Sequence, residues 1–304
     1  VTGAIVIGGS GGGGGGGSGN ANGGRGGDGG NGQLTVSDGK LVADSIVIGG
    51  SSGGKGSGGA TSGLAGAGAT GTLTVTGGSM NVAHGVTVNG NGQVDFKPDA
   101  GTQVTAGYAI SGAGSVSQTG AGTTVMTGDN TYTGGTTISA GTLQIGAGGT
   151  TGSIVGKVSN AGTLVFDRSN TLTFNGTISG TGQVQQIGSG TLELTGANSY
   201  EGGTLIGGGT LKVAGDGALG AATGALTFNG GGTLQSTGAF TSARDVTLAG
   251  AGSIVSKGAL SMSGVFTGNG ALDVQAGSGD ITLTNAGNDF GGAVSLSGAT
   301  VQPA

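Results

Sequence analysis

The chain has a single histidine, His84, which is the first residue to consider as a catalytic group because imidazole is the commonest general base in enzymes. A serine–histidine–aspartate triad would place a carboxylate and a reactive serine beside it. Asp95 and Asp99 follow His84 in the chain, but no nucleophile-elbow or protease signature surrounds it. The sequence therefore predicts an exposed turn residue at His84 and no catalytic residues.

Paired carboxylates are the second candidate chemistry, since two acids at a fixed separation serve glycoside hydrolysis. The 14 acidic residues are spread singly, and the closest spacings are Asp95 with Asp99 and Asp38 with Asp44. A polysaccharide lyase would need basic partners beside an aspartate cluster, and neither Arg168 nor Arg244 has such a cluster nearby in sequence. We predict that the chain is not an enzyme, with a polysaccharide-active enzyme as the weakest alternative.

Two glycine motifs could hold a metal ion or a phosphate. The segment 23–28 matches the first six positions of the calcium-binding nonapeptide, but Gly30 occupies the position of the large apolar residue and no adjacent copy follows. Gly49, Gly54 and Lys55 have the spacing of a phosphate loop, yet Gly56 replaces the required Ser or Thr. The sequence predicts no metal and no cofactor.

The composition limits the elements that could position any site. The 304 residues include 82 glycines and no cysteine, and 8% are charged. Since each interior glycine costs a helix about 1 kcal/mol relative to alanine, a helical bundle is excluded. The net charge is −5 and the nine basic residues are scattered, which predicts no nucleic-acid partner. Because the chain starts at Val1, we expect it to be a segment of a longer protein.

Internal repeats define the organisation. Residues 110–145 align without a gap to residues 178–213, at an offset of 68, and a degenerate third copy covers 266–302. A different repeat is found at the N-terminal end, where the segment Ile5–Ser10 recurs as Ile46–Ser51. Such periodicity is typical of solenoids.

Short apolar–polar–apolar triplets recur along the chain, such as Leu34/Val36, Leu164/Phe166 and Leu272/Val274. Alternation over three to five residues between glycine-rich turns predicts very short strands with one buried face. Such strands become stable when equivalent strands stack about 4.8 Å apart. Three triplets with their turns form a coil of roughly 20–23 residues. We predict an all-β parallel β-helix of about 12 coils, in which the repeat offset of 68 is about three coils.

Two glycine-rich tracts interrupt the pattern, at 8–32 and 49–71, each following an Ile-Val-Ile triplet. Both should therefore leave the same corner of successive coils. Solenoid insertions often form a binding face, whereas the simpler interpretation is two flexible surface loops. The candidate binding surface is the polar residues of these tracts: Ser10, Asn20, Asn22, Arg25, Asp28, Ser51, Ser52 and Lys55.

Thr-X-Thr units could in principle form an ice-binding array. These units lie at irregular intervals and should not form a flat array, so the sequence predicts ordinary outward threonines on strands. The units are Thr72/Thr74/Thr76, Thr131/Thr133, Thr171/Thr173 and Thr282/Thr284.

The repeat resembles a known family. The strings Thr127–Ile138 and Ala140–Ile145, repeated as Thr195–Ile206 and Gly209–Val213, resemble the autotransporter-associated β-strand repeat of type V secretion passenger domains. The third copy departs from the pattern, with Phe290 in place of Tyr. The resemblance implies a right-handed parallel β-helix exported through the periplasm and outer membrane of a Gram-negative bacterium. It also implies a C-terminal translocator β-barrel on the same polypeptide.

Together these features predict a single β-helix segment over 1–304, with the tracts in coils 1–92 and regular coils over 93–304. We expect a surface-exposed or secreted, non-enzymatic adhesin or autoaggregation segment. Its partner would be a host-cell surface molecule or glycan, or the same protein on another cell. The alternative is a passive stalk that presents a functional domain elsewhere in the protein.

Overall fold

The computed structural model describes residues 4–8, 31–37, 39–50, 70–277 and 280–297. The chain divides into two compact units, Val1–Thr137 and Ile138–Ala304. Strands of two to five residues build both units. Such short strands are stable because each one pairs in parallel with the equivalent strand of a neighbouring coil.

The strands of the first unit follow one another with only turns or the glycine-rich tracts between them, and the last of these strands reaches the boundary with the second unit. They are β1 (Ile5–Ile7), β2 (Gly32–Val36), β3 (Lys40–Ala43), β4 (Ile46–Ile48), β5 (Gly71–Val75), β6 (Ser79–Val82), β7 (Val86–Val88), β8 (Gly92–Phe96), β9 (Gln103–Ala106), β10 (Ile110–Ser111), β11 (Ser115–Gln118), β12 (Thr123–Met126) and β13 (Thr136–Ile138).

Within this unit, successive coils stack in parallel. One sheet has the order β1-β4-β7-β10 and a second contains β2, β5, β8 and β11. On the third side, β3 pairs with β6 and β9 pairs with β12. The register brings Ile5 against Ile46, and Ile46 against Val86. These two coils are long because they include the glycine-rich tracts, whereas the coil from Val86 to its partner Ile110 is much shorter.

The second unit has the remaining strands and one short 3-10 helix. They are β14 (Thr142–Ile145), β15 (Val158–Asn160), β16 (Thr163–Phe166), β17 (Thr171–Phe174), β18 (Ile178–Ser179), β19 (Gln183–Gln186), β20 (Thr191–Leu194), β21 (Thr204–Ile206), β22 (Thr210–Val213), η1 (Asp216–Leu219), β23 (Leu226–Phe228), β24 (Gly232–Ser236), β25 (Phe240–Ser242), β26 (Val246–Leu248), β27 (Gly252–Ser256), β28 (Leu260–Met262), β29 (Phe266–Gly268), β30 (Leu272–Ala276), β31 (Ile281–Leu283), β32 (Asp289–Phe290) and β33 (Val294–Ser297).

These strands also stack in parallel ladders. One sheet contains β14, β16, β19, β21, β23, β26, β29 and β32, and a seven-stranded sheet has the order β17-β20-β22-β24-β27-β30-β33. The third side holds the pair β15–β18 and, further along the chain, the sheet β25-β28-β31. Here we call each strand of a sheet a rung. Paired residues on consecutive rungs are separated by a nearly constant number of residues, as for Leu226, Val246 and Phe266.

The core follows from the alternation in the sequence. In β20 the side chains of Leu192 and Leu194 are buried while Glu193 is half-exposed, and the neighbouring strands repeat this pattern. Apolar side chains thus form columns inside each unit, each fully buried one stabilising the fold by roughly 1.5–3 kcal/mol. Every described residue with a positive φ is a glycine, which agrees with the glycine-rich turns predicted between the strands. The predicted all-β parallel solenoid is confirmed, with about 11 turns where 12 were expected; its right-handed sense stays a prediction.

The prediction that the repeat offset equals about three coils needs correction. From Leu143 the ladder climbs through Leu164 and Val184 to Thr204, so three coils end at Thr204. The repeat equivalent of Leu143 is Leu211, which lies seven positions beyond Thr204 and in the next sheet along the coil. One strand and one corner make up that difference. Each repeat copy is therefore rotated by one face.

Candidate functional site

All eight residues of the predicted binding surface lie outside the described residues: Ser10, Asn20, Asn22, Arg25, Asp28, Ser51, Ser52 and Lys55. The described residues next to the tracts are stacked on one another. The Gly49 amide donates to the Ile7 carbonyl at 2.9 Å where the tracts start, and the Gly32 amide donates to the Thr70 carbonyl at 3.1 Å where they end. Both tracts therefore connect the same two sheets.

An open cavity of about 410 Å³ lies where the tracts rejoin the sheet, lined by Asn31, Gly32, Gln33, Thr70 and Thr72. The Asn31 side-chain oxygen accepts a hydrogen bond from the Thr70 amide at 3.0 Å. The described lining side chains are uncharged amides and hydroxyls, which offer hydrogen bonds to a polar ligand.

His84 has a carboxylate partner that its sequence neighbourhood does not indicate. Its Nδ1 lies 2.8 Å from Asp44 Oδ1, and its backbone amide donates to the Asp44 carbonyl at 2.8 Å. The two residues are far apart in the chain because a complete coil with a glycine-rich tract separates them. Both side chains are at least half exposed, so the predicted exposed turn residue is observed, and the pair is a contact between coils.

Of the other acids considered in the sequence, Asp95 forms hydrogen bonds between neighbouring coils. Asp95 accepts hydrogen bonds from the hydroxyls of Ser117 and Thr119, each at 2.8 Å, and these residues belong to the coil above. Asp99 is exposed, and Asp38 lies outside the described residues. Among the residues that the structure describes, no group of three His, Cys, Asp or Glu side chains could hold a metal ion.

The two glycine motifs discounted in the sequence are mostly outside the described ranges. Residues 23–28 and the Gly54–Lys55 part of the phosphate-loop spacing fall there, while Gly49 lies at a corner with φ of 82°. The corner position alone gives no phosphate site. The motifs stay unsupported.

Arg168 and Arg244, expected to lack a cluster of acidic partners, each hold a loop. Arg244 is 1% exposed, and its Nε donates to Asp216 Oδ1 at 2.8 Å while its Nη2 donates to the Gly220 carbonyl at 2.7 Å. Arg168 donates to the Gly152 carbonyl at 2.5 Å. Gly152 and Gly220 are at equivalent positions, each the same number of residues beyond the end of a repeat copy. Both arginines therefore fix the loop that follows a repeat copy.

The repeat motif itself forms a buried hydrogen-bonded unit. The Asn198 side-chain oxygen accepts from the Ile178 amide at 2.8 Å, and its side-chain nitrogen donates to the Ala218 carbonyl at 2.7 Å. Asn198 thus joins the coil below to the coil above at a position where no regular strand forms. In the first copy, Asn130 accepts from the Ile110 amide at 2.8 Å. This role of the asparagine was not predicted, although its place before the tyrosine was a signal.

The third copy keeps the asparagine and loses the tyrosine. Asn288 accepts from the Phe266 amide at 2.9 Å, as its counterparts do. Phe290 has no hydroxyl and is half-buried, with its ring centroid 6.1 Å from that of Phe266. The asparagine contact therefore defines the repeat more strictly than the tyrosine does.

Threonines are stacked more regularly than the Thr-X-Thr spacing indicates. Thr171, Thr191, Thr210 and Thr233 lie in register on successive rungs of the seven-stranded sheet, followed by Ser253. These outward threonines agree with the prediction, and their column forms because coils of unequal length still align their strands. The neighbouring outward column is Thr173, Glu193, Lys212 and Gln235, so two matched threonine columns are not formed.

The titratable groups have structural causes for their shifts. Burial raises the pKa of the Tyr200 hydroxyl to about 12 and raises the pKa of Tyr108 and Tyr132 well above the usual range. The hydrogen bond from Lys212 lowers the pKa of Glu193, and hydrogen bonds from Ser295 and Gln275 lower the pKa of Asp273. Carboxylates held ionised in this way are poor proton donors near neutral pH.

Comparisons with known proteins agree with this geometry. Residues 116–145 and 184–213 match the passenger-associated transport repeat. Residues 231–297 match a family described as repeats of unknown function (DUF5649). No solved structure matches the chain. Within the described ranges, no helix has the length and apolar composition of a transmembrane span.

One curated relative is the adhesin BmaC autotransporter of Brucella suis biovar 1 (strain 1330), which is 44% identical over 126 residues. The match covers 41% of this chain and 4% of that adhesin. The resemblance found in the sequence is confirmed by the repeat matches and this relative. The matched repeats end on the strands β14 and β22, which are followed by the two arginine-held loops.

Proposed function

We propose that this segment of an autotransporter passenger with passenger-associated repeats is a non-enzymatic part of a surface adhesin. It would mediate attachment to a host-cell molecule or glycan, or to the same protein on another cell. The observation that carries the proposal is the 44% identity to part of an autotransporter adhesin. Since that match spans 4% of the adhesin, the activity of the whole protein is part of the proposal.

The chemistry of the described residues supports a binding role. Active sites usually combine perturbed titratable groups with a cleft. Here the groups with raised pKa are three buried tyrosines in the core, and the two shifted carboxylates are hydrogen-bonded on the outer surface. A long column of outward hydroxyls offers many equal hydrogen bonds, as weak multivalent attachment requires.

The export route is also proposed from the family resemblance. Passengers of this type cross the periplasm and the outer membrane with the help of a C-terminal translocator β-barrel on the same polypeptide. We propose the same for this chain, with the segment exposed on, or released from, the surface of a Gram-negative bacterium. The absence of cysteine is compatible with that passage, since no disulfide can lock a loop.

The test is attachment by the full-length protein on the surface of a non-adherent bacterium, with and without the glycine-rich tracts. Residues 8–31 and 49–70 would each be replaced by Asn-Gly-Asn, the sequence of residues 89–91, which closes the same corner in the next coil. The sheets on both sides should keep their register because the pairing strands are untouched. Loss of host-cell attachment with an intact fold supports the adhesin and its tract surface.

The passive stalk is the second candidate, favoured by coils that stack regularly and by loops held in place by buried arginines. If the shortened protein attaches like the parent, the tracts are not the binding surface. If replacing all of the coils with an unrelated solenoid of equal length also preserves attachment, the segment is a stalk. Turnover of a polysaccharide that disappears on a single acid-to-amide change would instead support the enzyme.

A further inference from the structure

We propose that the outer face of β17, β20, β22 and β24 docks on the same face of a second copy of this chain, with the two stacks antiparallel. We call this the threonine face; its two outward columns are Thr171, Thr191, Thr210, Thr233 and Thr173, Glu193, Lys212, Gln235. The inference rests on the proposed adhesin function and specifies its partner.

The hydroxyl column is complementary to itself. A threonine hydroxyl is both a donor and an acceptor, so it can pair with an identical group. The rungs are spaced about 4.8 Å apart in both copies, so contacts that match at one rung match at the next. A two-fold axis parallel to the strands, midway between β20 and β22, places Thr191 of one copy opposite Thr210 of the other. Thr171 and Thr233 then face each other at the ends.

The same axis pairs opposite charges. Glu193 and Lys212 lie on adjacent rungs with 3.0 Å between carboxylate oxygen and ammonium nitrogen, and each is partly exposed. In the antiparallel arrangement Glu193 of one copy faces Lys212 of the other, which gives an alternating set of four charges. A parallel arrangement, with the two-fold axis along the stack, would reverse the strands and set the charged column opposite the threonine column, so opposite charges would not pair. Charge complementarity therefore selects the antiparallel pair and a second copy as the partner.

The borders of the face allow a close approach. Glycines occupy the corner before each of the later strands, among them Gly190 before β20 and the run Gly207–Gly209 before β22. A side chain at Gly190 would clash with the Asn170 carbonyl of the preceding coil, and one at Gly209 would clash with the Gly190 carbonyl. The packing of the coils thus keeps large side chains out of these corners, so no corner side chain projects beyond the threonine face.

The size of the face predicts weak pairing. Four rungs and four residues per strand give about 19 Å by 13 Å, or roughly 250 Å² per copy. A stable interface buries about 800 Å² per partner. A single pair should therefore dissociate readily, whereas many copies displayed on two cells can hold together through multivalency. The assay must consequently present the full-length protein on cells.

The experiment uses charge reversal and mixing of cells. K212E places two carboxylates on each face, and E193K places two amines there. We expect cells with either variant alone to aggregate at least about tenfold less than the parent, since like charges meet. A one-to-one mixture of the two cell types should recover mixed aggregates, and so should cells with the double variant E193K/K212E. Lys97, which is exposed in the first unit, provides the control substitution K97E.

Recovery in the mixture cannot come from improved folding, because each protein is unchanged by mixing. Failure of the mixture to aggregate, single variants that aggregate like the parent, or a parent that does not aggregate would each overturn the proposal. Host-cell attachment is measured in parallel on the same strains. Host-cell attachment without aggregation through the threonine face would overturn only this inference. If the parent protein mediates neither attachment nor aggregation, the proposed function is contradicted as well.

Discussion

The hydroxyl of Tyr200 lies 2.7 Å from the hydroxyl of Thr204, and both residues are almost completely buried. The first repeat copy has the same contact between Tyr132 and Thr136, also at 2.7 Å. In the third copy Phe290 replaces the tyrosine and Ala293 occupies the place of the threonine. The two hydroxyls are thus present together in the two buried copies and absent together in the third, where Ala293 is exposed. In the buried copies each hydroxyl satisfies the other, and a lone buried hydroxyl would be costly.

This relationship predicts a non-additive double-mutant cycle. Tyr200→Phe leaves the Thr204 hydroxyl without its partner and should lower the free energy of unfolding by about 1–3 kcal/mol. Thr204→Val should have a comparable effect. The loss in free energy of unfolding for the double variant should be clearly smaller than the sum of the two single losses, as measured by urea unfolding. Additive losses would show that the hydroxyl pair is not coupled.

Alkaline pH should destabilise the protein. The folded state holds Tyr200 with a pKa of about 12, above the value of 10.0 expected in the unfolded chain. This stabilisation is complete below pH 10 and is lost as the pH rises through 12, because only the unfolded state releases the proton. Each such tyrosine adds a slope of up to about 1.4 kcal/mol per pH unit. The urea midpoint should therefore change little between pH 8 and 10 and fall between pH 10 and 11.

Tyr200→Phe is the matched variant for that measurement. It removes one of the three buried tyrosine hydroxyls, so its decline above pH 10 should be shallower than in the parent protein. An identical slope would indicate that Tyr200 does not contribute to the alkaline transition. Urea midpoints of the same variant at several pH values are compared with one another. The lost hydrogen bond lowers the stability equally at every pH below 10, so only titration changes the slope above pH 10.

Removing the buried guanidinium of Arg244 should destabilise the loop 214–225, which it holds by hydrogen bonds. Arg244→Ala leaves the Asp216 carboxylate and several carbonyls unsatisfied, and we expect a loss of about 3–5 kcal/mol. Asp216→Asn keeps the carbonyl contacts and should cost less, because Asp216 is partly exposed. Hydrogen exchange of residues 214–225 reports the effect directly. Equal protection in the parent and Arg244→Ala would contradict this role.

A whole coil should be removable. Deleting residues 246–265 joins Asp245 to Phe266 and lets Phe266 occupy the place of Val246 against Leu226. The shortened protein should keep a β-type circular dichroism spectrum and cooperative unfolding, since each coil contacts mainly its neighbours. Deleting only residues 246–255 shifts the following strands to the wrong face and should cause aggregation. A folded half-coil deletion would refute the assigned coil length.

Several features of the fold could be predicted because they depend on local patterns. The triplets such as Leu192–Leu194 specify a strand with one buried face, since the alternation has period two. Glycines at corners follow from the need for positive φ. The candidate binding surface was less accessible to such reasoning, because the tracts have few distinctive side chains and their residues lie outside the described ranges.

The strands, their buried faces and the family resemblance follow from local sequence, because they depend on neighbouring residues and repeated motifs. Which distant residues meet, as for His84 with Asp44 and Arg244 with Asp216, depends on how the coils stack. The physical reason is that coil length varies along the chain, from the long coil between Ile5 and Ile46 to the short one between Val246 and Phe266, so sequence spacing does not give the register between coils. The stacking of the strands sets that register, and with it the rotation of each repeat by one face and the threonine column.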